Sequence, residues 1–569
     1  MQKIFLFLVL CPLVSFASID NAENEESFAI NYSVVGNYLA GDYAIRNKDP
    51  KAASEIFLDA IGKDPDNPVL LRGGFKLMLS NGEVRKAAEI AYKYTAKYGM
   101  SSPSALLLAA YAAKKGDFVK AEDILNKIGT YNKGTIEESI NAVVVPLAKL
   151  WVMAGREEGE EALAAIDELK KEDKLPELFL DYQDALLSDL AGDIDRAQKA
   201  YDAILKGNVV IPHHFAKTAG NFYERTGNSI KAKEIYEKYN KQHVSFEGFK
   251  EPLKNISRGR LADERVIENA EHGLSEVFRE AVRVLYSGSY YTEALPYLRL
   301  AMHLNENDEN YVLLARYFSS MQKYEDSIDA YEEVNSSSDF YLSAQIAIAE
   351  DLYKMKEESD SIKKLKRLHK RYPESEVVTL TLADILRKSE KYEAAAKVYG
   401  TLIKGLKDPD IKRWPVYFAR GICYERAKKW ELAEPDFLQA LRLKPNQPDV
   451  LNYLGYSWID RNINIEKAKQ MVEAAVKARP NDAQMIDSMG WVLYKTNEFA
   501  EASKLLERAA EITPYDAVIN DHLGDSYWRE GRYNEAVFQW QRALKYKNSE
   551  DVSENTLKDK IKNGLPSEG

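Results

Sequence analysis

Residues 483–514 have the sequence AQMIDSMGWVLYKTNEFAEASKLLERAAEITP, and three neighbouring stretches, starting at Trp414, Pro448 and Ala517, repeat its residue types. One glycine recurs at spacings of 34, 35 and 34 residues, as Gly421, Gly455, Gly490 and Gly524. Two alanines follow in step, as Ala433, Ala468, Ala502 and Ala536 and as Ala440, Ala475, Ala509 and Ala543. Three of the four units end in proline, at Pro445, Pro480 and Pro514.

A period of about 34 residues marked by Gly, Ala, Ala and Pro is typical of the tetratricopeptide repeat, a helical hairpin. The small residues allow two antiparallel helices to approach closely, and larger residues such as Phe437 and Leu506 fill the remaining space. Each hairpin leaves an apolar face that only the next hairpin can cover. The sequence therefore predicts an all-α solenoid of tetratricopeptide hairpins, wound as a right-handed superhelix.

The composition agrees with a solenoid and argues against several other classes. The chain has 569 residues, which exceeds the usual size of a domain with a single core. Its net charge of −11 argues against a general nucleic-acid-binding protein, which would present a basic surface. No stretch of the sequence suggests a transmembrane span, because none approaches the roughly 18 consecutive apolar residues that a span requires.

The amino terminus resembles an export signal. A lysine at Lys3 is followed by an uninterrupted apolar run over residues 4–10, and Ser15 and Ala17 are small residues at a cleavage site. This pattern predicts a signal peptide over residues 1–17 and a periplasmic protein. The alternative is lipid modification at Cys11, which would place the protein at the outer membrane; Leu10 precedes Cys11, where that motif requires a small residue.

The remaining chain divides into segments by its repeat pattern. Residues 18–33 are polar and acidic and are predicted to be a disordered lead-in. Residues 34–240 carry about six degenerate repeats, and residues 274–548 carry about eight. The repeat pattern is absent over residues 241–273, which are predicted to be a connecting segment. Residues 549–569 are predicted to form a capping helix and a flexible tail.

The sequence offers no recognisable catalytic, metal or cofactor motif. It contains no phosphate-binding loop, and the adjacent pair His213 and His214 lacks a third ligand. Cys423 follows Gly421 in a predicted first helix, where a buried, unreactive thiol is expected. We therefore predict no enzyme, no cofactor and no metal site.

The concave groove of the superhelix is the predicted binding surface, and the first helix of each hairpin lines it. The groove positions of the last three repeats are Asn452, Tyr456, Asp487, Trp491, Tyr494, Asp521, Asp525, Trp528 and Arg529. Aromatic rings beside exposed carboxylates suit an extended peptide with neutral or basic groups and repel an acidic one. For Trp491 and Trp528, packing between neighbouring hairpins remains the alternative.

Several strings resemble an exported proteobacterial family of tetratricopeptide proteins: NYLGY at 452–456, DSMGW at 487–491, DHLGDSYW at 521–528 and GLSE at 273–276. The resemblance extends over roughly residues 255–548. Some members of that family are outer-membrane lipoproteins that present cell-wall hydrolases to a C-terminal processing protease. The resemblance implies a non-enzymatic adaptor with protein or peptide partners in the cell envelope. The alternative function is a cell-wall hydrolase or transferase in the degenerate N-terminal half.

Overall fold

The computed structural model describes residues 34–46, 50–128, 135–172, 175–206, 210–243, 248–404, 413–547 and 552–566. These residues form 30 α-helices, and no strand is found among them. The predicted signal peptide and lead-in, residues 1–33, lie outside the described residues. The first twelve helices are α1 (Val34–Arg46), α2 (Pro50–Lys63), α3 (Pro68–Ser80), α4 (Val84–Tyr98), α5 (Ser102–Ala113), α6 (Phe118–Asn126), α7 (Ile136–Gly155), α8 (Gly159–Glu172), α9 (Glu177–Ala191), α10 (Ile194–Leu205), α11 (His213–Arg225) and α12 (Ser229–Gln242).

A short helix and four hairpins form the middle of the chain. They are α13 (Lys250–Ser257), α14 (Ala270–Ser287), α15 (Tyr291–Leu304), α16 (Asp308–Ser320), α17 (Tyr324–Glu332), α18 (Tyr341–Lys354), α19 (Glu358–Arg371), α20 (Glu376–Lys388) and α21 (Tyr392–Lys404). The segment between the two predicted arrays, residues 241–273, thus contains α13 and the first turn of α14.

The four regular repeats form four hairpins, and one further helix follows them. These helices are α22 (Trp414–Arg426), α23 (Trp430–Leu443), α24 (Pro448–Asp460), α25 (Ile465–Ala478), α26 (Ala483–Lys495), α27 (Phe499–Ile512), α28 (Ala517–Arg529), α29 (Tyr533–Lys545) and α30 (Glu554–Asn563). Helices α26 and α28 begin at aspartate caps, because the carboxylates of Asp482 and Asp516 accept hydrogen bonds from the first free backbone N–H groups.

The two helices of each regular hairpin touch at the repeated glycine. A Cβ atom on Gly421 would lie 2.7 Å from the Phe437 ring, and one on Gly490 would lie 2.6 Å from Leu506 Cγ. The alanine opposite, represented by Ala502, is fully buried. The period read from the sequence therefore marks the places where the backbones approach most closely.

The N-terminal part of the solenoid encloses the hairpin of α14 and α15. Helix α14 packs against α7, and α15 packs against α3, α4 and α5. Gly273 of α14 lies against the Trp151 ring, where a Cβ atom would be 2.0 Å from Cε3. Tyr297 Oη donates a hydrogen bond of 2.8 Å to Asn141 Oδ1. One apolar core consequently runs without interruption from Phe57 to Ile348, across the connecting segment.

A buried ionic cluster accompanies that apolar contact. Arg283 of α14 donates to Glu276 Oε1 at 2.8 Å and to Glu309 Oε1 at 2.6 Å, and Arg279 Nε donates to Glu276 Oε2 at 2.7 Å. Burial by itself raises the pKa of Glu276, but the two guanidinium groups hold it well below its ordinary value. The cluster fixes α14 because separating any one charge would leave another buried without its partner.

One helix of the described residues, α7, is long and apolar enough to cross a membrane, which departs from the expectation that no stretch approaches that length. Half of its most apolar window is buried inside the protein. Trp151, Leu147 and Val152 of α7 are fully or almost fully buried against neighbouring helices. Its apolar composition is thus explained by a position in the centre of the N-terminal core.

We predict that Gly490→Leu destabilises the C-terminal repeats by about 1–3 kcal/mol, because Leu506 already fills the space that the new side chain would need. Thermal unfolding followed by circular dichroism measures the effect. Gly62→Leu is the matched control, since Gly62 also lies within a helix but has nothing within 4 Å of its missing Cβ. Equal unfolding midpoints for Gly490→Leu and the wild type would contradict the proposed helix contact.

Candidate functional site: a polar groove closed by the last helix

A groove of about 470 Å³ lies along the first helices of the four regular repeats. Of the predicted groove residues, it brings together Asn452 and Tyr456 of α24, Asp487 of α26 and Asp521 of α28. The groove is also lined by residues outside the predicted set, among them Glu425, Arg426, Gln484, Asp516, His522 and Val552. The groove is thus lined by groups of both charges and by the half-buried ring of Tyr456.

Asp487 and His522 form a buried pair at the floor of this groove. His522 Nδ1 lies 2.9 Å from Asp487 Oδ1, and the two residues are only 7% and 6% exposed. The expectation that Asp487 is exposed is therefore not met, because the next repeat covers it with an imidazole. Burial lowers the pKa of His522, but the attraction and hydrogen bond of Asp487 outweigh this effect and raise the pKa above its ordinary value.

Trp491 lies between the rings of two neighbours. Its ring stacks on His522 at a centroid distance of 4.1 Å and on Tyr494 at 4.8 Å. The ammonium group of Lys495 lies 5.0 Å from the centre of the Trp491 ring. Because Trp491 is 9% exposed, it supports the floor of the groove from below and also packs α26 against α28. These contacts agree with the packing interpretation, and Trp491 is not among the residues that line the groove.

Asp521 and Asp525 share one cation from the same chain. Lys560 Nζ of α30 lies 2.7 Å from Asp521 Oδ1 and 2.8 Å from Asp525 Oδ2. Trp540 Nε1 donates a further hydrogen bond of 2.9 Å to Asp525 Oδ1. Burial lowers the pKa of Lys560, but the two carboxylates outweigh it and raise the pKa above its ordinary value, so Lys560 remains charged. The predicted exposure of Asp521 fails for this reason.

The segment that follows α30 covers the last predicted groove residues. Gly564 lies directly on the Trp528 ring, where a Cβ atom would be 1.8 Å from Cζ2. Arg529 Nη1 donates a hydrogen bond of 3.0 Å to the carbonyl oxygen of Pro566. Leu557 of α30 is fully buried, and Leu565 packs on the same core. The groove is thus open over α24 and α26 and closed by α30 over the end of α28.

The two histidines that resemble metal ligands are held by other contacts. His213 stacks on Phe249 at 4.8 Å, and burial lowers its pKa to about 3. His214, Glu276 and Glu280 bring their ligand atoms within 4.8 Å of one another. Both glutamates, however, are bound by Arg283, whose positive charge opposes a metal ion at this position. These residues do not fit a metal.

The thiol of Cys423 lies in a packed interior. The residue is fully buried between helices, and burial raises the pKa of its thiol to about 12. Burial and the raised pKa both disfavour the thiolate, which is the nucleophilic form.

Comparisons with known proteins support the repeat assignment. The profile of the tetratricopeptide repeat family matches residues 380–448. The TPR repeat-containing protein PA4667 of Pseudomonas aeruginosa is 26% identical over 179 residues, which are 31% of this chain and only 29% of that protein. The repeats are therefore tetratricopeptide repeats, and the predicted all-α superhelical fold is confirmed.

Solved structures of low sequence identity also align with the chain. A chain of the APC/C hetero-tetramer Cut9–Hcn1 is 14% identical and has a TM-score of 0.37, with 88% of this chain and 96% of that chain covered. Yeast Tom70 is 15% identical and has a TM-score of 0.29, with 93% of this chain and 95% of that chain covered.

We predict that the stability contributed by the pair of Asp487 and His522 depends on pH. Because the folded pKa of His522 is raised, this contribution is fully present below the ordinary value of 6.5 and declines as the pH rises through the folded value. The difference in unfolding midpoint between the wild type and Asp487→Asn should therefore be largest below pH 6.5 and shrink as the pH rises above that value.

Proton NMR provides the direct measurement for the same pair. The imidazole signal of His522, identified by its loss in His522→Gln, should titrate with a midpoint above 6.5. A midpoint at or below 6.5 would show that burial outweighs the carboxylate.

Proposed function

We propose that this chain is a non-enzymatic scaffold that binds a protein or peptide segment in the groove of α22, α24, α26 and α28. The observation that carries the proposal is the position of Lys560, whose ammonium group is held between Asp521 and Asp525 on the concave face. The groove thereby already binds a basic side chain of an additional helix. A partner segment with neutral and basic side chains fits the same chemistry.

The open part of the groove supports this partner class. Tyr456 offers a half-buried aromatic face, and Gln484 offers an exposed amide at the entrance. Carboxylates of Glu425 and Asp516 lie along the same groove, where Arg426 offsets only part of their charge. An acidic segment would meet these groups as like charges, whereas a lysine, an arginine or an amide would find acceptors.

We further propose that the protein is exported to the periplasm and acts as an adaptor in assembly or proteolysis of the cell envelope. The apolar run of residues 4–10 and the resemblance of residues 448–545 to exported adaptor proteins support this proposal. Lipid modification at Cys11 is the alternative and would attach the same adaptor to the outer membrane.

The alternative function is an enzyme in the N-terminal half. An α/β fold within residues 34–240 would favour it. The described residues of this part form helices α1–α12 and no strand. The scaffold function is therefore the one that the geometry supports better.

Export should leave a mature chain that begins near Ser18. N-terminal sequencing and intact-mass measurement of the protein from the periplasmic fraction test this expectation, because cleavage after Ala17 removes the apolar run. A mature chain that begins at a lipid-modified Cys11 would contradict it and assign the protein to the membrane.

The groove proposal predicts how a single charge at position 484 changes affinity. Peptides selected against the purified chain should be rich in Lys and Arg and poor in Asp and Glu. Their affinity should fall up to about fivefold in Gln484→Lys and rise in Gln484→Glu, since an exposed charge pair contributes about 0.2–1 kcal/mol. Tyr456→Ala should weaken binding by up to about 2 kcal/mol if the ring anchors the peptide. Isothermal titration calorimetry measures these affinities.

Gln470→Lys is the matched control for this series. Gln470 is also an exposed glutamine, but it lies on the second helix α25 and is not among the residues that line the groove. It changes the net charge by the same amount and should leave the affinity unaltered. Equal affinities across the Gln484 series, or an equal loss in Gln470→Lys, would contradict binding in the groove.

A further inference from the structure

Helix α30 contacts the rest of the protein as a bound peptide would. On its inward side, Leu557 is fully buried and Lys560 is half-buried. On its outward side, Glu554 and Lys558 are exposed, and their side chains form an ion pair at 2.6 Å. A helix of 10 residues is marginally stable in water on its own. Its helical form therefore depends on the surface of α28 and α29 beneath it.

The surface under α30 continues the open groove. Val552, just before α30, lines the open groove, and Asp521 contacts both the groove and Lys560. A partner segment that follows the open groove towards α28 consequently meets the first turn of α30. It can continue only if α30 moves away from Asp521 and Asp525.

Removal of α30 changes the charge balance of this surface. Asp525 is 6% exposed and has Trp540 Nε1 as its other donor, so the loss of Lys560 leaves two neighbouring carboxylates without a cation. An incoming segment that lacks a positive group would leave this repulsion uncompensated. A segment with a lysine in the right place would restore the ion pairs.

We infer that α30 is a displaceable occupant of the groove and that the partner is a short amphipathic helix that replaces it. This inference rests on the proposed function of the groove. The partner helix carries a lysine three residues after a leucine, as in Leu557 and Lys560, and a small residue where Gly564 contacts Trp528. Binding of the partner and docking of α30 are mutually exclusive, so α30 lowers the apparent affinity of the chain for the partner.

A synthetic, fluorescently labelled peptide of residues 552–566 is the probe, and fluorescence anisotropy with the full-length chain is the measurement. In the wild type, the tethered α30 competes at an effective concentration on the order of 1 mM, so the peptide should bind weakly. In the chain with Leu557→Ser and Lys560→Ala, the peptide should bind at least about tenfold more tightly. Lys558→Ala, on the exposed side of α30, is the matched control and should behave as the wild type.

Hydrogen exchange provides a second measurement that needs no variant. Saturation of the wild-type chain with the unlabelled peptide should remove the protection of the amides of residues 557–563 and leave those of α26 unchanged. A peptide in which the lysine is replaced by glutamate should leave the protection of residues 557–563 in place. Equal affinity for all three chains, or unchanged protection at saturation with the peptide, would overturn the inference.

Failure of the α30 inference and failure of the groove proposal would give different results. If the Gln484 series alters affinity but the tail peptide fails to bind the double variant, the open groove binds partners and α30 is a permanent cap. If the tail peptide binds the double variant and the Gln484 series has no effect, partners bind only the surface under α30.

Discussion

The close crossing of two helices at a small residue is the contact on which the rest of the structure depends. At Gly490, the backbone of α26 lies so near Leu506 of α27 that even one methyl group would overlap it. This contact fixes the angle between the helices of a hairpin and hence the direction in which the next hairpin stacks. The concave groove follows from that direction, since it places the same face of α24, α26 and α28 side by side.

The regular repeats could be predicted from the sequence because their determinants are local. Gly455 and Val472, for example, meet within one hairpin, so their spacing alone indicates the contact. The environment of Asp487 could not be predicted in this way. Its exposure depends on His522, which lies 35 residues later and is brought above it by the stacking of whole repeats.

The position of α30 illustrates the same limit at a greater distance. The sequence suggested a capping helix, and the polar tail gave no indication that Lys560 folds back over 35 and 39 residues to Asp525 and Asp521. The packing of α14 and α15 against α3, α4, α5 and α7 joins residues that are still farther apart in the sequence. It depends on how far the first repeats curve, a property that accumulates from many small helix angles and that no single residue encodes.

That packing has a consequence for the order in which the chain acquires its structure during synthesis. Stacked repeats ordinarily form one after another as each leaves the ribosome, because each needs only its neighbour. Here Arg299 bonds the carbonyl oxygen of Ser80 across 219 residues, and Tyr297 bonds Asn141 across 156. The inner apolar surface of the first repeats therefore remains uncovered until synthesis has passed Leu304. The last four repeats, in contrast, can each fold on the preceding repeat as they are synthesised.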